Sequence, residues 1–119
     1  MLTMTEVRLA DARHGDVDGR PCDPSEIARQ IGRMNFLAIS GGKCFTVSNP
    51  AGEEIGLLLP CGSARAVEIT LDWDDTYSVR RVRLVTKGDR AGSVIVETEV
   101  SSVYCDEVGE VAYQASCWK

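Results

Sequence analysis

Hydrophobic and polar positions alternate most regularly between Ala66 and Val100, in the runs AVEITLDW, YSVRRVRLV and SVIVETEV. Val67, Ile69, Leu71 and Trp73 fall on one side of the first run, and Glu68, Thr70 and Asp72 on the other, because successive strand side chains point to opposite faces. The intervening DDT and TKGDRAG clusters carry turn residues, so the pattern predicts an antiparallel meander. Its apolar face needs a cover. Tyr104, Val108, Val111, Ala112, Ala115 and Trp118 recur at helical spacing, and this C-terminal stripe is the predicted cover.

Upstream, the segments FLAIS, KCFTVS and EEIGLLLP, separated by Gly41-Gly42 and by Asn49 to Gly52, read as two further hairpins. A short helix is predicted just before them. Asp23 suits the cap, Pro24 the first helical position and Glu26 a capping box, while Ile27, Ala28 and Ile31 form its apolar side and Gly32 its end. Arg29 and Arg33 then read as charges favoured near a helix C-terminus. Residues 1 to 22, apart from a short strand over Glu6 to Ala10, read as a poorly structured lead-in, with His14 exposed in a loop. The predicted fold class is therefore α+β: an antiparallel meander of about five to six strands, covered by a C-terminal helix and a short N-terminal helix, in one domain over residues 23 to 119.

Composition narrows the function classes. A chain of 119 residues with 44% hydrophobic and 26% charged residues can build one ordinary globular core without staples. No apolar run is long enough to span a membrane, and the N-terminus lacks a secretion-signal pattern, so a cytoplasmic location is expected. The net charge of −5, spread as 18 acids among 13 bases, disfavours a general nucleic-acid binder. The five cysteines include no closely spaced pair, which fits reduced thiols, while a Cys44–Cys61 disulfide stays conceivable.

Two groups carry candidate chemistry. Asp72, Trp73, Asp74, Asp75 and Thr76 have the D-x-D-x-T shape that opens haloacid-dehalogenase-type phosphatases, in which carboxylates attack phosphorus and hold magnesium. That chemistry needs a following helix and a parallel sheet, whereas another strand follows here, so a hairpin turn with local Asp and Thr hydrogen bonds is the expected role. Arg80, Arg81 and Arg83 form the densest basic group and could grip a phosphate or an acidic partner. Glu68, Asp72, Glu97 and Glu99 on neighbouring strands would answer them as a cross-strand ladder, with Arg81 and Arg83 on one face and Val82 and Leu84 on the other. The SGGK sequence lacks the spacing of a phosphate loop and reads as a turn.

The segments RMNFLAISGG (33 to 42), LPCGSARAVEITLDWDDTYSVRRVRLV (59 to 85) and VYCDEVGEVAYQASC (103 to 117) resemble a family of small accessory proteins of actinobacterial phages, plasmids and related mobile elements. The likeness spans roughly residues 25 to 118. It implies an accessory protein working in a bacterial cytoplasm, and it carries over no functional residue. The expectation is a non-enzymatic protein that binds a host or phage protein, in counter-defence or host takeover, without a cofactor or metal. Arg80, Arg81, Arg83, Asp74, Asp75 and Trp118 are the candidate contacts, and the open edges of a meander leave room for a homodimer. A magnesium-dependent phosphate-handling enzyme using the 72 to 76 turn is the alternative, followed by nucleic-acid binding through the arginine strand.

Overall fold

In a computed structural model, residues 4 to 117 are described. Helices α1 (Met4–Arg13), α2 (Pro24–Ile31) and α3 (Arg33–Ser40) precede strands β1 (Phe45–Ser48), β2 (Glu54–Gly62), β3 (Arg65–Leu71), β4 (Tyr77–Leu84) and β5 (Val94–Val103), and helix α4 (Val108–Ser116) follows. The strands form one sheet in the order β1-β2-β3-β4-β5, with every neighbouring pair antiparallel. This is the expected meander, with five strands. No helix among the described residues is long and apolar enough to cross a membrane.

The sequence pattern places β3 and β4 correctly. Val67, Ile69, Tyr77 and Val79 lie on one face with Leu57 and Leu59 of β2, packed under Ile27 and Ile31 of α2, Ile39 of α3, and Val108, Ala112 and Ala115 of α4. Burying each large aliphatic side chain is worth about 1.5–3 kcal/mol, so this layer is the main source of stability. Helix α4 can lie this close because position 109 is glycine: a Cβ there would stand 2.5 Å from the Ile31 carbonyl oxygen. One member of the expected stripe stands apart. Tyr104 is 60% exposed at the entry to α4, and Trp118 lies outside the described residues. Trp73 also leaves its predicted face, because β3 ends at Leu71 and the turn turns the indole out to 64% exposure.

Two expected elements are corrected. The FLAIS segment is not a strand but the body of α3, and Gly41, at φ +66°, closes that helix by donating its N–H to the Leu37 carbonyl. The glycine pair therefore serves a left-handed helix end rather than a hairpin, a job for which glycine is equally suited. The lead-in over residues 1 to 22 also contains more structure than expected. Residues 4 to 13 form α1 rather than a strand over Glu6 to Ala10, and Leu9 is buried at 1% exposure.

Helix α1 covers the second face of the sheet. There Ile55 and Leu58 of β2, Ala66 of β3, and Val82 and Leu84 of β4 pack with Leu9, Val17 and Val47 into a separate core. Both faces of the sheet are thus buried near β2, and its IGLLLP run (55 to 60) is apolar throughout for that reason. Helix α2 starts as predicted, with the Asp23 carboxylate accepting from the Ser25 N–H at 3.0 Å. The capping box is not completed, since the Glu26 carboxylate instead accepts from Arg29 and Gln30.

Candidate functional site

The arginines of β4 separate by face, as strand alternation requires. Arg80 points to the α1 side, where Nη1 donates to Thr70 Oγ1 at 2.9 Å and to Glu68 Oε1 at 3.3 Å, and Nε donates to Glu99. Glu68 is fully buried and accepts two further hydrogen bonds from Arg13. Arg81 and Arg83 point to the other side and both donate through Nε to Glu97 at 3.2 Å, joined by Arg65 at 2.8 Å. The expected ladder is present, except that Asp72 takes no arginine and accepts from Ser78 Oγ at 2.6 Å.

The 72 to 76 segment is the hairpin turn between β3 and β4. Asp72 N–H donates to the Thr76 carbonyl at 2.8 Å, and Asp75 N–H donates back to Asp72 at 3.1 Å with Asp75 itself at φ +68°. One oxygen of Asp74 accepts both the Thr76 hydroxyl, at 2.6 Å, and the Thr76 N–H, at 3.1 Å. These bonds hold the Asp74 carboxyl below its ordinary range. Asp75 pairs with Arg20. Each of the three carboxylates thus has a protein partner, and among the described residues no group of three His, Cys, Asp or Glu is placed to hold a metal ion. All five cysteines are free thiols, so the Cys44–Cys61 bridge is absent.

Other surface features were not legible in the sequence. Among the described residues, half of the large exposed hydrophobics gather on α3 and α4: Met34 at 80%, Leu37 at 48%, Tyr113 at 43%, and Tyr104 at 60% where the chain enters α4. Tyr113 stands one turn beyond Gly109, the residue that touches Ile31 and Asn35, so it lies on the α3 flank of its helix. Beside Met34, a groove of about 420 Å³ is lined by Ala28, Phe36 and Leu37 with Arg29 and Arg33. Arg29 pairs with Glu26, and Arg33 makes no ion pair among the described residues. The FLAIS segment could have signalled this face only if read at helical rather than strand period. Then Arg33, Met34, Leu37 and Ala38 share one stripe.

Comparison of the chain with family models, curated proteins and solved structures finds no match.

Proposed function

We propose that this chain is a non-enzymatic binding domain that takes a protein partner on the outer face of its α2–α3–α4 layer. The observation that carries the reading is the pair of exposed α3 residues Met34 and Leu37, with Leu37 lining a groove shared with the Arg33 guanidinium. Exposed apolar residues are unremarkable singly, but grouped beside an arginine they form the kind of anchor that dominates protein interfaces. The groove favours a partner that offers an apolar side chain flanked by acids. In the mobile-element setting implied by the resemblance, that partner is a host or phage protein. The absence of an enzymatic role belongs to the same proposal, supported by the bonds that already engage the carboxylates of Asp72, Asp74 and Asp75.

Affinity capture from the bacterial host tests the reading, with wild type beside a Met34→Asp/Leu37→Asp variant. Both side chains are exposed, so the variant keeps its unfolding midpoint, because surface changes usually alter stability by less than about 0.5 kcal/mol. A partner retained by wild type and lost from the variant supports this face. Equal retention by both folded proteins removes it.

A further inference from the structure

β1 and β2 differ in length, and the gap between them shapes a second site. β1 pairs with β2 only at Glu54, Gly56, Leu57 and Leu58, so residues 59 to 62 have no strand neighbour on that side. Helix α1 approaches this bare edge from one face of the sheet, and the end of α3 from the other. The space left is a cleft of about 480 Å³, within the range of about 300–1,000 Å³ typical of small-molecule sites. Leu9, Ile39, Pro60 and Ala64 supply its apolar lining, bringing residues of both cores to one wall.

The charged groups lining the cleft are two cations and one carboxylate. Lys43 and Arg65 line it with Glu6, and the Lys43 ammonium meets the Glu6 carboxylate at 3.1 Å. Arg65 in turn shares Glu97 with Arg81 and Arg83. Each of these three arginines is anchored to Glu97 through Nε alone, which leaves its terminal nitrogens to other acceptors. With Arg81 and Arg83, which share Glu97 with Arg65 but do not line the cleft, four cations stand against two carboxylates in a chain whose net charge is −5. This corner should attract an anion where the rest of the surface repels one.

The rim of the cleft stores backbone strain. Gly62 pairs with Arg65, so Ser63 and Ala64 form a two-residue hairpin loop, and both take positive φ, +55° and +61°. Such loops ordinarily use Asn-Gly, because a Cβ-bearing residue costs about 1–2 kcal/mol in the left-handed region. Strain of this kind tends to sit at ligand sites. Pro60 bears on the occupant as well: it offers no N–H to the bare edge, which discourages pairing with an added peptide strand.

We propose that this cleft binds a small organic anion, with its phosphate or carboxylate group between Lys43 and Arg65 and its apolar body against Leu9, Ile39 and Pro60. The site is separate from the outer helical face and stands or falls independently of it. Titration of the full chain with hexyl phosphate and hexanoate, and with hexanol and inorganic phosphate as controls, tests the proposal by calorimetry and amide NMR. The expected result is saturable binding of at least one anion, about tenfold or more tighter than either control, equivalent to about 1.4 kcal/mol. The stronger of the two anions identifies the head group. Amide shifts are expected at Leu9, Ile39 and Ala64. Lys43→Gln and Arg65→Gln should each weaken binding several-fold while the fold is retained by circular dichroism, and Lys43→Arg should restore it. Binding of hexanol equal to that of the anions overturns the proposal. So do shifts confined to Met34 and Leu37, unchanged affinity in both folded glutamine variants, or no saturable binding at all.

Discussion

The Arg13 guanidinium holds the Glu68 carboxylate by two parallel hydrogen bonds, Nε to Oε2 at 2.6 Å and Nη2 to Oε1 at 2.8 Å, joining α1 to the centre of the sheet. Glu68 is fully buried, so this pair ties the N-terminal helix to an acid that has no access to water. Removing one member of a buried pair strands the other, and Arg80 at 3.3 Å is a weaker substitute. Arg13→Met is therefore expected to destabilise the fold by about 3 kcal/mol. The Arg13→Met/Glu68→Gln double variant should lose less than the two single changes added together. Urea unfolding of the four proteins measures the coupling, and strictly additive losses would show that the pair does not act as a unit.

The Ser63-Ala64 loop predicts a gain of stability. Glycine reaches positive φ without a Cβ clash, so Ser63→Gly should raise unfolding free energy by about 0.5–1 kcal/mol. Ala64→Gly should gain less, because its methyl packs against the second core. Thermal unfolding checks both, and the expected order is Ser63→Gly above Ala64→Gly. If Lys43 and Arg65 serve a ligand, the loop variants should bind it more weakly despite their greater stability.

Gly56 predicts a loss. A Cβ at this position would stand 1.9 Å from the Ile69 carbonyl oxygen, a backbone atom of the paired strand that cannot swing aside. Gly56→Ala should therefore separate β2 from β3 in the middle of the sheet. The expected cost is about 3 kcal/mol, at the upper end for overpacking. A variant with wild-type urea midpoint would contradict the strand spacing described above.

The arginines around Glu97 predict an acid limb. Burial alone would raise the Glu97 carboxyl, but the Arg65 hydrogen bond, the charges of Arg65 and Arg81, and the Arg83 hydrogen bond lower it overall. A carboxyl lowered in the folded state binds its proton more readily when unfolded. Its contribution is thus complete above the unfolded value of about 4.3 and disappears as pH falls through the folded value. Urea midpoints measured from pH 6 down to pH 3 should fall more steeply for wild type than for Glu97→Gln. Parallel curves would mean that Glu97 gains nothing from its three arginines.

Much of the meander was legible because strand alternation is local. Glu68 and Thr70 between Val67, Ile69 and Leu71 assign faces without further information, and the same rule separates Arg80 from Arg81. The hairpin role of Asp72 to Thr76 was legible for a related reason, since Asp and Thr bond their own backbone. The helix α3 was misread because Phe36, Leu37, Ala38 and Ile39 form a short apolar run that fits either period, with a glycine pair that suits a turn or a helix end. The available signal was the spacing of Asn35, Phe36 and Ile39, which share the inward face of one helix.

By itself, then, the chain determined the antiparallel meander, the two faces of β3 and β4, the cap at Asp23 and the packing positions Val108, Ala112 and Ala115 of α4, since each depends on neighbours a few residues away. Tertiary structure alone decided that residues 4 to 13 are helical, because α1 has little apolar stripe of its own and is held by Leu9 and by Arg13 meeting Glu68, 55 residues further along. It also decided which surfaces can serve a ligand. The cleft beside Pro60 draws Leu9, Ile39, Lys43 and Arg65 from four separate segments, and no local pattern records that such residues share a wall.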